Sequence, residues 1–319
     1  MSNKVYLLTA EQAKKIENIL PSSDTPHLPQ GTKYRTKLSG HTVTLYNSNK
    51  LMIQGSDSEI IGQQLLSKAG IQMNQQPVTK IKNKVSLTAS DKMIQYDSFN
   101  CIGSDEAGSG DYFGPMTVVA SYVSKKNAEI LKVLGVMDSK NLKDKQIIEL
   151  AEQIIPIIPH SLLVLDNVKY NERKQMGWSQ VKMKAVLHNE AIKNVLNKIE
   201  ESVDYIVIDQ FAVQGVYENY ALGAIPERNK TKFETKGESK AIAIAASSII
   251  ARYAFVKHFE QIIKDTGISI TKGAGGKVDV EAAKIIKLKG IDYLDRITKK
   301  DFKNREKALK LLKRKERET

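Results

Sequence analysis

Gly103-Ser104-Asp105-Glu106-Ala107-Gly108-Ser109-Gly110-Asp111-Tyr112-Phe113-Gly114-Pro115 is the stretch on which the reading of this chain turns. Residues 100–105 end a short apolar strand, and an acid directly after such a strand is unusual because burying an unpaired carboxylate is unfavourable. Two adjacent acids are harder still to explain. On a regular strand Asp105 and Glu106 face opposite ways, so they converge only if the chain leaves the strand at Glu106. Gly108 and Gly110 supply such a turn, since glycine accepts positive φ, and they let the backbone approach a ligand closely. The plain alternative is an exposed acidic turn between strands.

Outward from this segment, strands and helices alternate. Met116 to Val123 predicts a strand, residues 128–134 and 143–154 helices, 162–165 a strand, 179–200 a long helix, and 204–209 a buried strand ending in Asp209. An Ala-rich helix follows over 241–263, and the Lys/Arg-rich tail 299–319 fits an amphipathic helix. The expected fold class is α/β, a mixed sheet flanked by helices. Residues 1–70 read as a separate small α/β unit. Thr9 caps a helix running toward Leu20, Thr42 to Tyr46 and Leu51 to Gly55 form a hairpin, and Ile60, Ile61, Leu65 and Leu66 mark a second helix closing at Gly70. Residues 71–98 are polar and irregular and read as a linker, which leaves 99–319 as the larger domain.

The 49 Lys and Arg exceed the 36 Asp and Glu, giving a net charge of +13 and a pI near 9.4. A field of that sign concentrates polyanions, so nucleic acid, acidic membrane or acidic protein are the favoured partners. The single cysteine, Cys101, excludes an intrachain disulfide and a cysteine-rich zinc site. There is no signal-peptide apolar core, and no run approaches the roughly 20 apolar residues of a membrane span. A cytoplasmic location is expected.

Asp209 repeats the theme of the opening segment, because ligand sites of open α/β sheets lie at the carboxyl ends of strands; a cap or turn just past the strand is the other reading. Glu238 precedes the helix that begins near Ser239, where an acid is also stabilised by the helix dipole alone. Clustered carboxylates bind hard divalent cations. Two such ions ~3.5–4 Å apart assist in-line phosphoryl displacement, so a basic surface with a multi-acid site fits phosphodiester cleavage.

At this point the residues resemble a known family. Gly103 to Gly110 with Phe113-Gly114-Pro115 is similar to the first signature of type 2 ribonucleases H, and Asp138-Ser139-Lys140 to the second. Asp209 stands where that family has its third acid. Ala245-Ala246-Ser247-Ser248-Ile249-Ile250-Ala251-Arg252 resembles the helix whose fourth acid lies just upstream, which points to Glu238. Ser109 between the glycines, Glu238 rather than Asp, Tyr253-Ala254-Phe255-Val256 and the N-terminal extension resemble the HIII type rather than HII.

The resemblance implies a ribonuclease-H-like sheet preceded by a TATA-binding-protein-like α+β domain that grips the substrate. It implies cleavage of the RNA strand of RNA/DNA hybrids to 5′-phosphate and 3′-hydroxyl ends, and Mg²⁺ as cofactor with Mn²⁺ as alternative. Asp105 would bridge both metals, Glu106 and Asp209 would complete the leaving-group side, and Glu238 the nucleophile side. Backbone groups of Gly108, Ser109 and Gly110 would read 2′-hydroxyls, and Ser139 and Lys140 would contact phosphates. Lys33, Tyr46, Ser48 and Lys50, on or beside the hairpin, are candidates for tracking the hybrid; a solvated surface face is the alternative. Neither membrane nor obligate protein partner is implied, and a monomer is expected. His160, His188 and His258 are assigned no chemistry, and Trp178 reads as core or docking surface.

Overall fold

The computed structural model describes residues 3–23, 28, 31–71, 94–137 and 142–318. The chain forms two compact units, one of residues 1–95 with 129–135, the other of 96–128 with 136–319.

The first unit contains β1 (Asn3–Leu7), α1 (Ala10–Ile19), β2 (Thr32–Leu38), β3 (His41–Tyr46), β4 (Lys50–Gln54) and α2 (Ser58–Lys68). The four strands form an antiparallel sheet in the order β1-β4-β3-β2. Thr9 caps α1 as expected, in a reciprocal pair with Gln12, which satisfies two otherwise orphaned amides. The expected hairpin is β3–β4, with Leu45 opposite Leu51. Val43, Leu45, Leu51 and Ile53 pack with Ala13, Ile16, Leu65 and Leu66 into one core. β1 and β2 are not anticipated by the sequence. They are the two edge strands, and edge strands need fewer apolar residues and tolerate lysines such as Lys33 and Lys37.

The second unit is built on β5 (Cys101–Ala107), β6 (Met116–Val123), β7 (His160–Leu165), β8 (Tyr205–Asp209) and β9 (Thr231–Glu234). Their order is β7-β6-β5-β8-β9. β7, β6 and β5 pair antiparallel, whereas β5, β8 and β9 run parallel. The helices are α3 (Lys125–Leu134, whose last residues fall in the first unit), α4 (Asp144–Ile154), α5 (Asn167–Gln175), α6 (Gln180–Leu196), α7 (Gln214–Tyr220), α8 (Ile242–Thr266), α9 (Gly276–Lys289), α10 (Ile291–Ile297) and α11 (Asn304–Glu318).

Two helices sandwich the sheet where the site lies. Ala185, Ala191, Ile192 and Val195 of α6 pack on Ile102, Val118, Ala120 and Ile206. On the other side α8 lies close to β5 and β6. Ser247 donates to the Gly103 carbonyl at 2.9 Å, and Thr117 to that of Ala251 at 2.9 Å. The small residues of α8 make that approach possible. At 25 residues α8 is long and apolar enough by composition to cross a membrane, so the expectation that no run comes near that length is corrected. Its apolar stretch is 72% buried, and a core helix covered on several sides needs such a composition. Helices α9, α10 and α11 enclose, with the second half of α8, a separate core around Phe255, Phe259, Val278, Ile285 and Leu294.

Candidate active site

β5 does not end at Asp105. It continues through Glu106 to Ala107, with Glu106 opposite Val118 and Ala107 opposite Thr117 on β6. The expected departure from the strand at Glu106 is therefore corrected: the two acids stay in register and face opposite sides of the sheet. The parallel partner β8 pairs with β5 only as far as Ser104 and Ile208. Both acids thus flank the gap at the carboxyl ends of the parallel strands, next to Asp209, the last residue of β8.

Asp105 lies on the α8 side and is 6% exposed. Its Oδ1 accepts from the Glu106 amide at 2.7 Å. The Ser248 hydroxyl of α8 is within hydrogen-bond reach of Asp105 and donates to Glu238 Oε1 at 3.0 Å. A hydroxyl has one proton, so Ser248 serves one acid at a time and ties the first carboxylate to the fourth. Burial, then the charges of Glu106 and Asp209, hold the Asp105 carboxyl well above its ordinary range. Among the described residues no lysine, arginine or histidine forms an ion pair with it.

Glu106 lies on the α6 side in the opposite situation. Lys184 Nζ is 2.5 Å from its Oε1 and His188 Nε2 3.0 Å from its Oε2. His188 is fully buried and its Nδ1 meets Ser104 Oγ at 2.6 Å. Burial would raise the Glu106 carboxyl, but the His188 hydrogen bond and the Lys184 charge outweigh it and bring it down to about 2. His188, set aside in the sequence reading, therefore touches a central acid. Lys184 and His188 stand four residues apart on one face of α6, a spacing visible in the sequence but uninformative until α6 is laid across β5.

Asp209 accepts from the Gly237 amide at 2.7 Å. A β-carbon at Gly237 would come within 2.9 Å of the Asp209 carboxylate and 2.5 Å of Ile244, so glycine is what allows this turn to close on the strand end. Burial, with the charges of Glu106 and Glu238, raises the Asp209 carboxyl against that amide. Glu238 sits in the short 3-10 turn Gly237–Ser239 ahead of α8.

The four acids are thus electrostatic neighbours made entirely of oxygen donors. Among the described residues no three of them close around a common point at ligating distance. Like charges repel, and Glu106 is drawn to Lys184 and His188. The donor chemistry fits a hard divalent cation, and the buried, unpaired Asp105 is the group such a charge would relieve.

Past the end of β5, Gly108 takes φ +80°, whereas Gly110, the other glycine expected to supply a left-handed turn, does not adopt positive φ. The Ser109 carbonyl accepts from Gln180 at 2.8 Å, and Gly110 is exposed. Ser139 and Lys140 lie outside the described residues. In the first unit, Lys33 pairs with Glu17 at 2.6 Å, Ser48 is exposed in the β3–β4 turn, and Lys50 donates to the Leu134 carbonyl at 2.8 Å. Tyr46 is not an outward contact. It is 4% exposed with its hydroxyl against the Met52 sulfur, because the apolar ring at the end of β3 is core.

Comparison with known proteins fits this architecture. The Ribonuclease HII family model matches residues 102–305, and a Domain of unknown function (DUF3378) matches residues 3–78. A Ribonuclease HIII of Macrococcus caseolyticus is 87% identical over 98% of this chain and 100% of its own. This chain belongs to the ribonuclease HIII family. A Ribonuclease HIII of Staphylococcus saprophyticus is 57% identical over 99% of both chains. A crystal structure of Bst-RNase HIII in complex with Mn²⁺ is 33% identical, covers 98% of this chain and 100% of that one, and superposes with a TM-score of 0.68. The chain is thereby a metal-dependent ribonuclease. Membership of the HIII rather than the HII type agrees with the reading of Ser109, Glu238 and the N-terminal unit.

Proposed function

We propose that this ribonuclease hydrolyses the RNA strand of RNA/DNA hybrids in the cytoplasm, as a monomer, leaving 5′-phosphate and 3′-hydroxyl ends. Asp105, Glu106, Asp209 and Glu238 would hold two Mg²⁺ ions, with Mn²⁺ as the alternative. The observation that carries this reading is the buried Asp105, unpaired by any described cation and pressed by Glu106 and Asp209 at the carboxyl ends of β5 and β8. Bound there, the ions would supply Lewis-acid charge on the scissile phosphate and on the attacking water.

The chain's own groups prepare for this. Lys184 and His188 fix the orientation of Glu106, the role outer partners commonly take around ligating carboxylates. Ser248 joins Asp105 to Glu238. Backbone groups of Gly108, Ser109 and Gly110 would read ribose 2′-hydroxyls, the feature that separates RNA from DNA. Ser139 and Lys140 would meet phosphates. Residues 1–70 would form a substrate-binding domain joined by 71–98 to a catalytic domain of 99–319, with Lys33, Ser48 and Lys50 on its gripping surface. The net charge of +13 draws the polyanion to both.

A denaturing gel tests the reading. Under Mg²⁺ a long hybrid is cut at several positions, whereas a single ribonucleotide embedded in duplex DNA is cut poorly. Preference for the embedded ribonucleotide would overturn the substrate assignment, and binding without any product would overturn the chemistry.

A further inference from the structure

A lysine with no accessible surface calls for an explanation, since lysine is almost never fully buried unless paired. Lys299, between α10 and α11, is 0% exposed, and among the described residues no carboxylate lies at ion-pair distance from it. Its ammonium is satisfied by main chain instead: Nζ donates to the Asp111 carbonyl at 2.7 Å and to the Gly114 carbonyl at 2.7 Å. It also lies over the Tyr170 ring, 5.8 Å from the centroid. Asn167 of α5 adds a second donor to the Gly114 carbonyl at 2.9 Å.

These bonds close one end of the glycine loop. The Lys299 amide donates to Tyr112, Gly114 donates to Ile297, and Tyr112 donates to Gly273, each at 3.0 Å. Asp111 Oδ1 accepts from the Gly273 amide at 2.6 Å. The segment 111–114 is thus fastened to the C-terminal helices, while Gly108–Gly110, immediately before it, carries the backbone groups that the proposed function sets against the ribose. An alkyl side chain would fill the same volume without desolvating a charge, so packing alone does not account for a cation here. Carbonyl oxygens turned toward a buried cation orient the peptide planes of the loop, and the planes that follow Gly110 are among them.

We propose that Lys299 is a positioning residue for strand recognition: a built-in cation, held by the Asp111 and Gly114 carbonyls, that fixes the loop whose backbone at Gly108–Gly110 reads the ribose. This rests on the placement of the substrate against that loop. The residue touches neither substrate nor acids, so its loss acts on recognition and leaves the chemical step alone.

The test uses the full-length chain with Lys299→Met, and with Asn167→Leu as a second variant that removes only one donor from the same carbonyl. Kinetics are measured on a long hybrid under Mg²⁺, binding on hybrid and on all-DNA duplex, and amide exchange on residues 108–114. For Lys299→Met the expected result is faster exchange at Ser109 and Gly110 and a KM raised about tenfold, the scale of one or two weakened hydrogen bonds. kcat should stay within about twofold, and the preference for hybrid over DNA duplex should fall. Asn167→Leu should move the same quantities in the same direction by less, and carries the test if the first variant does not fold. Unchanged exchange and unchanged KM overturn the clamp while leaving the substrate placement intact. Faster exchange with unchanged KM and unchanged preference overturns the substrate placement itself. A fall in kcat at constant KM overturns the division between recognition and chemistry.

Discussion

Replacing Asp105 by Asn should stabilise the protein in the absence of divalent cations while ending catalysis. The side chain is 6% exposed, and burial together with Glu106 and Asp209 disfavours its charge. At an effective dielectric near 20, a like charge within ~5 Å is unfavourable by about 3 kcal/mol before solvent and side chains relax. An amide removes that repulsion and keeps the shape, although its donors must find partners; the neighbouring carboxylates can accept from them. A net gain of about 2 kcal/mol is the expected scale, within the range for relieving strained functional sites. For a unit of this size it corresponds to a melting temperature higher by roughly 4–8 °C. The assay is thermal unfolding in chelator and then across a Mg²⁺ or Mn²⁺ titration. The native chain should gain about 2.7 kcal/mol once the ion reaches a hundredfold excess over its dissociation constant, and the variant far less. Hybrid binding by the variant should persist, because the basic surface is unaltered. A variant that melts lower than the native chain in chelator would refute the electrostatic reading of the cluster. Equal cation stabilisation of the two would refute the ligand assignment.

Three further outcomes follow from the same geometry. Lys184→Met should lower stability at pH 7 by about 2 kcal/mol in urea unfolding, since both partners of the Lys184–Glu106 pair are nearly buried at 12% and 11% exposure and breaking such a pair strands a charge. The Glu106 carboxyl is depressed to about 2 from 4.5, so its contribution is complete above the unfolded value and fades as pH falls toward 2; the difference between native and variant should shrink across that window. For Lys299 the sign is reversed. Burial lowers the amine from 10.5 to about 8, so the folded form sheds its proton first and gains stability as pH climbs through 8 toward 10.5. Relative to Lys299→Met, the native chain should gain about 2 kcal/mol between pH 7 and 9.5, and a flat difference would show that the amine is not desolvated as described. Deleting residues 1–70 should weaken hybrid affinity more than it slows a saturated single turnover; equal affinity would remove the gripping role given to that unit.

What could be read in advance and what could not divides along a physical line. Asp105 and Asp209 could be singled out because each follows directly on an apolar run, a place where composition alone makes a carboxylate anomalous, although β5 itself continues to Ala107. The Thr9 cap, the β3–β4 hairpin and α8 were legible because capping and periodicity are local. β9, with four residues, and the polar α5, whose exposed and buried faces differ little, carry no such local signal. Neither do the contacts that finish the site. Lys184 and His188 reach Glu106 across 78 and 82 residues, and only the crossing of α6 over β5 gives them meaning. Lys299 opens a tail that reads as solvated and basic, yet it is buried, as are Asn304 and Ala308, because α10 and α11 turn it against the glycine loop. The acids announce a site by being costly where they stand. The bases that orient them and the loop look ordinary in sequence, since a lysine is unremarkable until burial deprives it of water. The function proposed for this chain therefore rests on charges of both signs drawn back from solvent, the negative ones near the carboxyl ends of β5 and β8 and the positive ones placed behind them. A positive residue moved from that second layer to the surface would leave every sequence motif intact and still disorder the site.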